Sequence, residues 1–124
     1  MQKLLLSKSQ MKTTGTKKKS KSELEAAFQK EAIELIESMG GKVTKVHVSA
    51  YQDQGEPDLI CCYRGRYVAF ELKIDGNKPS KLQLEKIEDI KRAGGIALPV
   101  YSINEIKETL YEISRIQQGG EPEE

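Results

Sequence analysis

The sequence predicts a mixed α/β fold, one central sheet with helices over it, in the order α-β-β-β-α-β-α. Three observations lead there. Ser22 with Glu25, Ser80 with Gln83 and Ser102 with Glu105 are capping-box patterns, and each opens a stretch whose apolar residues recur at helical spacing. Tyr67 to Ile74 instead alternates with the period of two that belongs to a strand. Glycine pairs at 40–41 and 94–95 stop the first two helices.

Taken in order, the first helix opens at Ser22 and carries Leu24, Phe28, Leu35, Ile36 and Met39 at helical spacing. Val43, Val46 and Val48 suggest a strand, followed by a polar stretch from Ser49 to Glu56 that ends at Pro57. Asp58 to Tyr63 reads as a short strand, Arg64-Gly65-Arg66 as a tight turn, and Tyr67 to Ile74 as the central strand. On that strand Val68, Phe70, Leu72 and Ile74 share one face, and Tyr67, Ala69, Glu71 and Lys73 share the other. Asp75 to Pro79 breaks the chain before a helix with Leu84, Ile87 and Ile90 on one side. Ile96 to Tyr101 is the last strand, and Ile106, Leu110 and Ile113 are spaced for burial on the last helix.

A chain of 124 residues makes one small domain with a single core. Its net charge of +1 hides an asymmetry. Residues 1–22 hold seven lysines and no acid, whereas the rest holds thirteen basic against nineteen acidic residues, a net of −6. Residues 1–21 are therefore expected to be a flexible basic tail, 22–116 the folded domain and 117–124 an acidic flexible tail. Cys61 and Cys62 are adjacent, point to opposite faces of a strand and have no third cysteine to pair with, which fits a reducing compartment. With His47 as the sole histidine, a zinc site of three or four Cys/His ligands cannot be assembled. Leu4–Leu6 is too short for a signal-peptide core or a membrane span. The expectation is a soluble protein of the cytoplasm, or of the host cytoplasm if the source is viral, with no membrane partner.

The chemistry centres on Pro57-Asp58 and, thirteen residues after Asp58, Glu71-Leu72-Lys73. Two carboxylates converging from neighbouring strands can hold a hard divalent cation, and a lysine beside them can position a water or neutralise charge on a phosphate. The acid-x-lysine triplet alone is weak, since Asp89-Ile90-Lys91 and Glu105-Ile106-Lys107 repeat it. Those two fall in helices, where residues two apart point about 200° apart. On a strand, residues two apart face the same way.

Glu25-x-x-Phe28-Gln29, Gly55-Glu56-Pro57-Asp58, Phe70-Glu71-Leu72-Lys73, Ser80-x-x-Gln83 and Gly94-Gly95, in that order, resemble the PD-(D/E)XK nuclease superfamily. More narrowly they resemble the small standalone form of the VRR-NUC (virus-type replication and repair nuclease) family. The likeness covers residues 22–103. It implies a restriction-endonuclease-like core, a mixed central sheet flanked by helices. It further implies that Asp58, Glu71 and the Leu72 carbonyl ligate Mg²⁺ or Mn²⁺, that Lys73 orients or activates the attacking water, that Glu25 helps complete the acidic site, and that Gln83 lies beside it. Glu56 departs from the pattern: a carboxylate there either joins the site or faces water. The implied activity is a metal-dependent deoxyribonuclease, a homodimer acting on branched DNA in the manner of a Holliday junction resolvase.

Some of these residues have competing roles. Glu25 can close a capping box with Ser22, and Gln83 can do so with Ser80. His47, though histidine is the commonest general base, falls at the expected sheet edge and reads as a surface or packing residue. Lys73 serves either as base or as electrostatic stabiliser. Lys78, Lys81, Arg64 and Arg66 flank the strands of the site and are expected to grip a DNA backbone, as are Lys17, Lys18 and Lys19 of the basic tail. No aromatic-rich stacking platform, helix-turn-helix or Gly-rich phosphate loop is present, which argues against base-specific reading and nucleotide binding. The alternative is a non-catalytic DNA- or protein-binding module that retains the nuclease fold.

Overall fold

The computed structural model describes residues 18–47 and 55–120. Its elements are α1 (Lys21–Ser38), β1 (Lys42–Lys45), β2 (Leu59–Tyr63), β3 (Arg66–Leu72), α2 (Lys81–Arg92), β4 (Ile96–Val100) and α3 (Ile103–Arg115). Ile116–Gly120 follows α3 as a π-type turn, kinked at Gln118 and Gly119. The element order is the expected α-β-β-β-α-β-α. Residues 1–17, which include Lys17, and residues 48–54, which include Val48, lie outside the described residues, as do 121–124.

The sheet runs β1-β2-β3-β4. β1, β2 and β3 pair antiparallel, and β4 joins β3 in parallel after the α2 crossover. A parallel neighbour requires such a crossover, whereas the β2–β3 hairpin needs only Arg64-Gly65. Both turn residues take positive φ, 51° and 79°, which suits a tight hairpin turn. Gln117 holds that turn from the far end of α3, donating to the Arg64 carbonyl at 3.0 Å and accepting from Arg64 Nε at 3.2 Å.

Each sheet face is covered differently. Leu59, Cys61, Tyr63, Val68, Phe70 and Val100 pack under Ala32 and Ile36 of α1 and Ile106, Leu110 and Ile113 of α3. The opposite face carries the small residues Ala69 and Ala97, against which Ile87 of α2 packs with Ile60 and Ile90. The strand alternation thus places its residues as the sequence predicts, and Cys61 is buried while Cys62 is exposed. Burial pushes the Cys61 thiol up to about 11, so it remains protonated.

Several local expectations are corrected. α1 opens at Ser20, whose capping box is closed by Glu23, two residues ahead of the expected pair. The α3 cap is half formed: Ser102 Oγ accepts from the Glu105 amide, but Glu105 Oε1 reaches back to the Tyr101 amide instead of Ser102. Leu24 and Leu84, in phase with the apolar residues of their helices, are 43% and 47% exposed. For Leu84 the reason is the narrow alanine face under α2, which admits the stripe through Gln83, Ile87 and Ile90 and leaves Leu84 outside it. Among the described residues no helix is long and apolar enough to cross a membrane.

Candidate metal centre

The antiparallel register that pairs Leu59 with Phe70, continued by one residue, sets Asp58 opposite Glu71. Two tethers then fix Asp58. Its carbonyl accepts from the Val46 amide at 3.0 Å, and its Oδ2 accepts from the Leu72 amide at 2.8 Å. Pro57 beside it is fully buried. Gly55 stands at φ 88° with an imagined Cβ only 3.1 Å from the backbone C and O of Leu82, so a side chain there would collide with the first turn of α2. Segment 55–58 is therefore wedged between α2 and the sheet.

Glu71 lies near the end of β3 on the α2 face and is 3% exposed. Its Oε2 accepts from Gln83 Nε2 at 2.7 Å and lies 3.4 Å from Lys73 Nζ. Its Oε1 is buried without a hydrogen-bond partner. Burial first, then the negative charge of Asp58, push the Glu71 carboxyl up to about 7, against the pull of Lys73. Asp58 is also raised, chiefly by burial and further by Glu25, with the Leu72 amide and Lys73 opposing. A buried carboxyl facing a half-buried one without full compensation is an arrangement a cation relieves.

Gln83 performs both roles left open by the sequence. Its Oε1 accepts from the Ser80 amide at 2.8 Å to complete the α2 capping box, while its Nε2 holds Glu71. Glu25, released from capping by Glu23, lines the cavity from α1. That cavity encloses about 350 Å³ and is walled by Glu25 and Gln29 of α1, Asp58, Glu71, Leu72, Lys73 and Gln83. Gln29, which the sequence offered as part of the Glu25-x-x-Phe28-Gln29 motif, stands in the wall one helical turn beyond Glu25.

The donor set fits a hard cation. Asp58 and Glu71 supply carboxylate oxygens on one cavity, Glu71 Oε1 lacks a partner, and Leu72 lines the same cavity. Among the described residues no three His, Cys, Asp or Glu side chains meet as a cluster, so Glu25 stands on the wall and not in a preformed triad. Glu56 does not join the centre: it pairs with Lys86 of α2 at 3.6 Å on the surface. His47 is exposed and does not line the cavity.

The basic residues divide. Lys78 and Lys81 are exposed just before and at the start of α2, close in sequence to Ser80 and Gln83. Lys18 and Lys19 are exposed ahead of α1. Arg64 and Arg66 are at the turn end of the β2–β3 hairpin, opposite the end that carries Asp58 and Glu71. Five residues of strand separate Arg66 from Glu71, roughly 17 Å at strand rise. Arg64 and Arg66 thus flank the site strands in sequence but sit at the other end of the hairpin from Asp58 and Glu71.

Neither a comparison with protein-family models nor one with curated proteins gives a match. Solved structures do. A VRR-NUC domain superposes with a TM-score of 0.60 and 29% sequence identity, over 70% of this chain and 94% of that one. Hjc of Archaeoglobus fulgidus, a Holliday junction resolvase from an archaeal hyperthermophile, superposes with a TM-score of 0.52 and 17% identity, over 62% of this chain and 67% of its own. The helix and strand order agrees with a restriction-endonuclease-like core. These likenesses show that the chain has a VRR-NUC/PD-(D/E)XK-like nuclease fold.

Proposed function

We propose that this protein is a divalent-metal-dependent DNA endonuclease that hydrolyses phosphodiester bonds, acting as a homodimer on branched DNA. The observation that carries the reading is the buried Glu71 carboxyl, unpartnered at Oε1, facing Asp58 and flanked by Lys73. Asp58, Glu71 and the Leu72 carbonyl would hold Mg²⁺ or Mn²⁺. Bound there, the ion supplies Lewis-acid stabilisation of phosphate charge and lowers the pKa of water.

The residues of the chain do the rest. Lys73, its ammonium kept near Glu71, orients the attacking water and offsets charge on the phosphate as it develops. Gln83 keeps Glu71 aimed into the cavity, and Glu25 adds a carboxylate on the outer wall. Lys78 and Lys81, with Lys17, Lys18 and Lys19, contact the DNA backbone without reading sequence. The VRR-NUC likeness supports hydrolysis, and the resolvase of related fold suggests a branched substrate.

Linear, flapped, single-stranded and four-way-junction DNA, incubated with protein in Mg²⁺, Mn²⁺ or EDTA, test this reading. Cleavage abolished by EDTA is expected, with a loss of at least ~10²-fold in Asp58→Ala and in Lys73→Ala. Undiminished cutting by both variants would overturn the site. Absence of cleavage with either metal would favour a non-catalytic module.

A further inference from the structure

A second concavity of about 400 Å³ opens beside the acidic cavity, between α1 and the segments that follow β3 and β4. Leu24 and Phe28 of α1, Ile74 and Tyr101 line it, with Glu31 and Asp75. Phe28 and Ile74 also line the acidic cavity, so the two spaces adjoin. Leu24 is 43% and Tyr101 37% exposed, apolar surface that the core does not use. Tyr101 is held at both ends: its hydroxyl donates to the Asn77 carbonyl at 3.0 Å and its amide to Glu105 Oε1 at 2.7 Å. Its ring is thus a preorganised platform. Among the described residues no lysine or arginine lines the groove, and its two carboxylates repel phosphate while offering acceptors to amino groups.

We infer that this groove receives an unpaired nucleobase next to the phosphate at the Asp58–Glu71 centre, stacked on Tyr101, so that DNA with an unpaired nucleotide beside the cut is the preferred substrate. This rests on the nuclease reading. A base within duplex DNA is stacked and paired, and freeing it costs energy that a flap, fray or junction point has already spent. An aromatic face accepts any base, so the groove selects structure and not sequence.

The test uses the full chain and DNA carrying 2-aminopurine in turn at each nucleotide flanking the cleaved bond, in paired duplex and in a flap. Binding in EDTA is expected to quench fluorescence at one unpaired position and not at its paired counterpart. Tyr101→Ala removes the quench, whereas Tyr101→Phe, which keeps the ring, retains it. In Mg²⁺ the ratio of flap to duplex cleavage falls at least about fivefold in Tyr101→Ala, the lower range for a lost base–aromatic stack. Leu24→Ala, at an exposed position of the first helical turn, lowers the same ratio and guards against misfolding of the first variant. An unchanged quench and ratio in Tyr101→Ala and Leu24→Ala, with cutting still dependent on Asp58, would overturn the groove and leave the nuclease reading standing. No cutting of any DNA by the wild-type chain overturns both.

Discussion

Replacing Glu71 by glutamine should stabilise the metal-free protein at alkaline pH. The Glu71 carboxyl moves from its ordinary value of 4.5 in the unfolded chain to about 7 in the fold, because burial and Asp58 disfavour its charge. A group raised in this way is held more tightly protonated by the folded state. Its contribution to stability is fully present below about 4.5 and is lost as pH rises through about 7. At 1.36 kcal/mol per pKa unit, the loss is on the order of 3 kcal/mol, shared with Asp58 because the two titrate together. Glu71→Gln keeps the shape and an acceptor for Gln83 but removes the charge. Thermal unfolding in EDTA between pH 5 and pH 8 measures the effect. The wild type should lose stability relative to Glu71→Gln across that span, by on the order of 10 °C in melting temperature for a domain of this size. Mn²⁺ at pH 8 should restore the wild type and leave Glu71→Gln nearly unmoved. A difference between the two proteins that stays constant within about 0.5 kcal/mol from pH 5 to pH 8 would refute the reasoning.

Other outcomes follow from the same contacts. Gly55→Ala forces a Cβ against the Leu82 backbone at a φ of 88°, and should cost about 1–3 kcal/mol in urea unfolding and lower cleavage together with stability. Ser20→Ala, by loss of the true cap, should cost about 0.5–2 kcal/mol, while Ser22→Ala stays within about 0.5 kcal/mol in the same measurement. Glu25→Gln should leave the melting temperature in place and reduce cleavage, since capping falls to Glu23. Gln83→Glu preserves an acceptor for the Ser80 amide but sets a third carboxylate against Glu71, so circular dichroism should show an intact α2 while cleavage at pH 8 falls about tenfold or more.

Much of the frame was legible because local signals agreed with one another. Ser80 with Gln83, the alternation from Tyr67 to Lys73 and the hairpin spacing between Asp58 and Glu71 are short-range statements that burial reinforces. Ser20 was harder to find, because Ser20-x-x-Glu23 and Ser22-x-x-Glu25 are the same pattern two residues apart. Spacing alone does not choose between them. The exposure of Leu84 has a related reason: a helical period identifies an apolar stripe, but its width is set by the facing surface, here two alanines under α2. Arg64 and Arg66 adjoin the site strands in sequence, yet strand direction carries them to the other end of the sheet. The double duty of Gln83 was invisible for the opposite reason. Its cap is local and its hold on Glu71 is tertiary, and nothing in the spacing says that one amide can do both.

The most direct measurement of the central claim is a calorimetric titration of the full chain with Mn²⁺ at pH 8, beside Asp58→Ala and Glu71→Gln. Saturable binding by the wild type, of at least one ion per chain, with loss in both variants, is the predicted result. Absence of binding by the wild type, or equal binding by all three proteins, would contradict the assignment of Asp58 and Glu71 as a metal centre.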